Sequence, residues 1–435
     1  MLQAACQTEA LPLVALLALV FAVYVPTLND YFHGDDFLAF IDLTTRPPLR
    51  HIVDTFLFQD TNVYWRPLGQ VYYLAIYQVF GLDPFFFHLA GVGVFLATLA
   101  LLYRFVVNFG LGRAVALTAE ALAFAAMVLA LLCDEVAVVL TPLPVLYMWL
   151  AQPRVPPWAV QHVRRCLAYG GLGLAVTLLQ MTVGKDASNP APVVLGLSEL
   201  SIGWHIPREY WALIAKLVLP LRDGVGLAEI APVQWVAGGV AAAAAAIVVI
   251  LGTRRVWFLV AWMVLAFLPF SLWTLPIAPA RYVYMAALPF AVLVAWIGVA
   301  IGGRLLATSG GTIRRTAGRL AVVAVVAVAG VLSVGGTVAR NEAFARTAEP
   351  YRALAEDLPR ALPSVASNTR FVIYYGVWEG AFVWQDAVVQ TVYRDRTLHT
   401  LNINAAYAES DAVIPRQPND LVLYYTERGF IVPTR

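Results

Sequence analysis

The feature that most constrains this chain is the recurrence of apolar runs long enough to cross a bilayer. Six segments of roughly 16 to 19 residues, Leu11–Thr27, Leu89–Val107, Leu167–Val183, Val236–Leu251, Val256–Trp273 and Leu320–Val338, are nearly free of charge and suit a hydrocarbon core of about 30 Å. The run Ala114–Leu150 is broken by Asp134 and Glu135, so it reads as two crossings with a tight turn, and Tyr282–Ile301 makes the ninth. Hydrophobic residues form 60% of the 435 and charged residues 13%, the composition of a membrane protein. A net charge of +2 offers no broad field for nucleic acid.

The first run lacks a basic start and a small-residue cleavage site, and further spans follow it, so it is expected to stay as a helix. Cys6, Cys133 and Cys166 stand at irregular spacing, which is neither a disulfide framework nor a zinc pattern.

Positive residues are retained in the cytoplasm, so loop charges test the helix count. With the N-terminus inside and nine crossings, the inner loops carry Arg113; Arg154, Arg164 and Arg165; Arg254 and Arg255; and Arg304, Arg314, Arg315 and Arg319, without an acidic residue. The first outer loop, residues 28–87, holds Asp30, Asp35, Asp36, Asp42, Asp54, Asp60 and Asp83 against Arg46, Arg50 and Arg66. This count requires that "RPLGQVYYLAIYQVF", Arg66–Phe80, not cross; its length, Arg-Pro opening and tyrosines suit an interfacial or re-entrant helix. A second outer loop covers residues 185–234.

The chain changes character near residue 339. The tail opens with the amphipathic "PYRALAEDLPRAL" and continues with the β-rich runs "RFVIYYG", "LHTLNI" and "DLVLYYT" around a helix over Ala381–Tyr393. The expected architecture is therefore an all-α polytopic membrane domain over residues 1–338, with about nine transmembrane helices and a cytoplasmic N-terminus, followed by a small extracytoplasmic α/β domain over 339–435.

Within "NDYFHGDDFLAF", residues 29–40, turn residues give way to apolar residues at helical spacing, so Asp35 or Asp36 stands at a helix start. Capping explains one carboxylate. A second beside it, near a low-dielectric boundary, raises the basicity of one of the two and suits general-base work on a hydroxyl. Helix capping with a solvated neighbour is the competing account.

That pair just after the first crossing, then "YWRPL" (Tyr64 to Leu68), "FGLDPFFFHL" (Phe80 to Leu89) and "ARYVYMAALPF" (Ala280 to Phe290), resembles the GT-C polytopic glycosyltransferases, and within them the protein O-mannosyltransferase-like enzymes and their bacterial relatives. The resemblance implies an inverting transfer of a sugar from a polyprenyl-phosphate donor to a hydroxyl of a protein, lipid or glycan acceptor. The active site would face outward from the plasma membrane, in the cell envelope. One of Asp35 and Asp36 would be the base, the other orienting the acceptor or a metal. Arg66 and Arg281 are the candidate phosphate partners, with Tyr282 and Tyr284 beside the second; snorkelling at the interface is the alternative. His88 matches the family's usual histidine, or else caps or bridges helices. No cofactor is required; a divalent ion on His33 and Asp35 is the weaker expectation.

The match also breaks. "LLCDEVAVVLTPLPVLYMWL" carries Asp134-Glu135 where the family usually has Lys-Glu, and a helix pair common in relatives is missing after "GLGRAVALTAE". Glu120 lies within a predicted crossing, where an ionised carboxylate costs about 2.5 to 3.5 kcal/mol and calls for a partner, a cavity or a proton. The competing functions are an inactive relative that binds envelope partners and a transporter or flippase, although no inverted repeat is present.

Overall fold

The computed structural model describes residues 2–57, 66–108, 142–151, 203–207, 252–271, 285–290, 341–375, 385–404 and 417–426, with shorter pieces between them. The protein is mostly helical, with one small sheet among the described residues. It divides into two compact units, one of residues 1–62, 67–97 and 341–435, the other of residues 63–66 and 98–340.

The first unit begins with α1, Leu2–Tyr24, whose α-helix gives way at Pro26 to a single tight turn, Val25–Asn29. Then come α2, Gly34–Thr45, and α3, Pro48–Phe56. Pro48 fits the first turn of α3, where its missing N–H has no intrahelical partner to lose. The helix α4, Pro67–Phe80, occupies the stretch expected to lie at the interface. Its end and the start of α5, Pro84–Asn108, are written locally. Gly81, at φ +65°, returns its N–H to Tyr77 O at 2.8 Å, and Asp83 Oδ1 accepts the Phe85 N–H at 3.0 Å. A left-handed glycine closes one helix while an Asp-Pro pair opens the next.

Among the described residues one helix is long and apolar enough to cross a bilayer, the Pro84–Leu101 part of α5, with mean hydropathy 1.9 and 6% of the window buried. Phe87 at its start packs into the protein core, while Leu89, Val94, Phe95 and Leu101 along it are exposed. The expected crossings at 114–141, and all or part of Leu167–Val183, Val236–Leu251, Tyr282–Ile301 and Leu320–Val338, lie outside the described residues.

In the tail, α7 covers helical residues 341–361, with a π turn at Ala353–Asp357 and a last turn Leu358–Ala361. The strands are β1, Arg370–Tyr375; β2, His399–Asn404; β3, Asp420–Thr426; and β4, Gly429–Ile431. Between β1 and β2 lies α8, Gln385–Tyr393. The sheet order is β2-β1-β3-β4, with β1 parallel to both neighbours and β3 antiparallel to β4. Phe371, Val372 and Ile373 are buried in succession, the mark of a central parallel strand covered on both faces. Arg370 grips Asp420 across β1 and β3 with two hydrogen bonds, 2.8 and 2.7 Å.

The tail was expected to be a domain of its own from residue 339. In the structure it instead closes on the first outer segment. Phe37, Phe40 and Leu43 of α2, Leu74 of α4 and Phe87 of α5 share one core with Tyr351, Leu354 and Leu358 of α7, Phe371 and Ile373 of β1, and Val388 and Val389 of α8. The physical reason is amphipathy on both sides: α2 and α8 each bury one apolar face, and they bury them on each other. An ion cluster pins the join. Asp42, fully buried, receives the Arg396 guanidinium and Arg46 Nε at 3.1 Å, while Arg396 Nε donates to Thr45 Oγ1 at 3.0 Å.

In the second unit, the helix α6, Arg254–Ser271, packs Ala266 and Phe267 with Leu213, Met285 and Ala286. Val256, Phe258 and Leu259 from the same helix pack with Leu143, Val248 and Leu293.

Candidate active site

The chain leaves α1 by two short hydrogen-bonded steps and an extended residue. Thr27 Oγ1 donates to Tyr24 O at 2.8 Å, the Asp30 N–H donates to Thr27 O at 3.1 Å, and His33 is extended at φ −98° before α2 begins. Asp36, at the third position of α2, accepts the His33 N–H at 2.9 Å, the carboxylate half of a capping box. Capping is therefore a real role of Asp36. It does not exhaust the group, because a carboxylate has about four lone-pair sites.

Asp36 also lines a cavity of about 510 Å³ within the first unit, inside the range of roughly 300 to 1,000 Å³ usual for small-molecule sites. Asp30, Tyr72, His88 and Asn341 are among the other polar residues there, with Tyr24, Thr27 and Tyr73. One wall is a set of edge-on aromatic rings: Phe32 lies 4.6 Å from Phe40 and 5.3 Å from Phe87, and Phe40 lies 6.0 Å from Tyr73. Such a wall is rigid and apolar.

His88 Nε2 stands 2.9 Å from the Asp30 carbonyl oxygen. A carbonyl only accepts, so Nε2 carries the proton and Nδ1 of the neutral ring is the acceptor. The Asp30 carboxyl is raised by burial, with His88 pulling it the other way. The Tyr72 hydroxyl is buried without a hydrogen-bond partner among the described residues, and burial pushes its pKa up. It is a phenol at the cavity wall with a proton to donate.

His33 is held elsewhere. Its Nε2 lies 3.1 Å from Thr347 Oγ1 and 3.4 Å from Phe344 O, and its ring is 3.9 Å from the Phe344 ring. Thr347 Oγ1 donates to Phe344 O at 2.8 Å, so the His33 Nε2–H is the donor to Thr347. That nitrogen is engaged with α7, which fits a metal ligand poorly. Among the described residues no group of three or more His, Cys, Asp or Glu could hold a metal ion.

Of the sequence candidates, Asp36 and His88 are thus brought to one cavity. Asp35 lies in the first turn of α2, but its side chain is outside the described residues, as are Arg281, Tyr282 and Tyr284. Arg66 directly precedes α4 and groups with the second unit. Glu120, Asp134 and Glu135 lie outside the described residues too. Sequence reasoning passed over Asp30 as a turn residue and Tyr72 as interfacial. The only local signal for Asp30 was its place between the apolar run and the acidic pair.

No protein-family model matches the chain, and comparison with curated proteins and with solved structures finds none that matches.

Proposed function

We propose that the chain is a multi-pass plasma-membrane glycosyltransferase, with nine crossings and a cytoplasmic N-terminus, that moves a sugar from a polyprenyl-phosphate donor to an acceptor hydroxyl on the extracytoplasmic side. The observation that carries the reading is the cavity at the junction of α1 and α5, where Asp36 of the acidic pair, Asp30, Tyr72 and His88 meet an aromatic wall. A lipid-linked donor keeps its isoprenoid chain in hydrocarbon and its phosphate at the headgroup level. The enzyme then needs a base just outside the membrane, beside an apolar helix such as α5.

In a single displacement the acceptor oxygen attacks the anomeric carbon, the bond from that carbon to the phosphate oxygen breaks, and polyprenyl phosphate leaves. Asp36, or Asp35 beside it, accepts the hydroxyl proton. His88 and Tyr72 are hydrogen-bonding groups for the sugar. Arg66 and Arg281, with Tyr282 and Tyr284, are the proposed phosphate partners. His33 positions the start of α2 through Thr347. No step depends on a metal.

The test uses purified protein in liposomes with radiolabelled polyprenyl-phosphate sugars and an envelope extract. Transfer that falls by the 10²- to 10⁴-fold typical of losing a general base in Asp36→Asn or Asp35→Asn supports the assignment; transfer unchanged in both variants refutes it.

A further inference from the structure

We propose that α3 lies in the headgroup region of the bilayer with its outward face among phospholipids, an inference that rests on the membrane reading above. At 100° per residue, Leu49, Ile52, Val53, Phe56 and Leu57 share one side of the helix, and Arg50, His51, Asp54 and Thr55 share the other. A helix on the surface of a water-soluble body turns its apolar side inward. This one is inverted. His51 and Thr55 are fully buried and Asp54 is 8% exposed, whereas Leu49 is 75%, Val53 45%, Phe56 39% and Leu57 57% exposed.

The inversion has a local cause. Asp54 receives Arg46 at 3.1 Å and Arg50 at 3.5 Å, so the polar side is drawn into the ion cluster beneath α2; Ile52 at the edge of the apolar side packs partly on the core, and Leu49, Val53, Phe56 and Leu57 are left outward. A contiguous apolar face of this kind marks a surface that meets something other than water.

Two observations select lipid as the occupant. The first is continuity: α3 packs on α4, whose end is also uncovered at Val79 and Phe80, and α4 leads through three residues into α5, the helix suited to span the membrane. The second is charge. The outward arc carries no carboxylate, and the Arg50 side chain, 75% exposed, stands at its edge. A guanidinium beside an apolar arc is the arrangement by which an interfacial helix meets lipid phosphate while its apolar side enters the acyl boundary.

The experiment uses the full chain with Cys6, Cys133 and Cys166 replaced by Ser, reconstituted in vesicles of phosphatidylcholine and phosphatidylglycerol. A nitroxide is placed singly through Val53→Cys and Val94→Cys, and its collisions with oxygen and with a neutral nickel chelate are measured. Both positions are exposed, so neither substitution disturbs packing. The expected result is that oxygen reaches both labels in preference to nickel, with Val53 shallower than Val94. Nickel preference at Val53 with oxygen preference at Val94 overturns the proposal alone. A Val53 label closed to both reagents means that protein covers the face, and also overturns it. Nickel preference at both positions removes the membrane reading itself.

Discussion

Replacing Phe37 by alanine is expected to loosen the tail as much as the first outer segment, although more than three hundred residues separate Phe37 from β1. The ring is 1% exposed; it stacks on Tyr351 of α7 at 6.4 Å and meets Phe40 at 5.7 Å and Phe32 at 6.2 Å. The Phe37 carbonyl accepts a hydrogen bond from Thr391 Oγ1 of α8 at 3.5 Å. Truncating such a residue costs about 3 to 5 kcal/mol, the transfer free energy of the ring plus the cavity left behind. At about 1.4 kcal/mol per factor of ten, the opening equilibrium of the shared core rises by roughly two to four orders of magnitude. Amide hydrogen exchange, followed by mass spectrometry on the detergent-solubilised protein, reads this directly. Peptides covering Arg370–Tyr375 and Gln385–Tyr393 should lose protection together with Gly34–Thr45. If α2 loses protection while β1 and α8 keep theirs, the tail has a core of its own and the shared-core reasoning is wrong.

Acid should destabilise the first unit through His51, which is fully buried and pushed below its ordinary value by desolvation, against the pull of Asp42 and Asp54. A depressed histidine gives stability that is present above about pH 6.5 and is lost as pH falls through the folded value. Melting temperatures at pH 7.5 and 5.5 should therefore differ less in His51→Gln than in the parent; an equal difference refutes the assignment. Gly91 lines the cavity, and an added Cβ would meet nothing within 4 Å. Gly91→Leu should project into the site and narrow it, keep helix stability or raise it by up to about 1 kcal/mol, and lower sugar transfer, whereas a variant that folds and transfers at the parent rate separates the cavity from the reaction. Arg394 holds a left-handed backbone, φ 54°, just after α8, where the Asp395 N–H bonds to Gln390 O at 3.0 Å. Arg394→Gly is expected to stabilise by about 1 kcal/mol in thermal denaturation by relieving that conformation; a lower melting temperature would mean that the arginine side chain contributes more than its backbone costs.

Much of the local structure is legible in the residues. "RFVIYYG" and "DLVLYYT" contain β1 and β3, "LHTLNI" covers β2 except for its last residue, Asn404, and the helix between β1 and β2 begins at Gln385 within the stretch read as helical. Period-two and unbroken β-branched or aromatic runs report on a chain's immediate neighbours, so they survive any later packing. The turn from α4 to α5 is equally local, since Gly81, Asp83 and Pro84 act within their own hydrogen-bonded turns. So is the capping role of Asp36, which reaches only three residues back.

Sequence by itself determined these short-range elements, the apolar runs and the place of the acidic pair at a helix start. Tertiary structure alone decided that the tail closes on the first outer segment, that His88 reaches the Asp30 carbonyl across 58 residues, and that His33 is engaged by Thr347 across 314. It also decided which face of α3 points outward, a case where periodicity identifies an amphipathic helix but not its orientation. The reason is range: a side-chain pattern states which residues share a face, whereas the partner for that face is chosen by every other surface competing to be buried, and by ion pairs such as Arg46 with Asp54 that can outweigh the apolar preference.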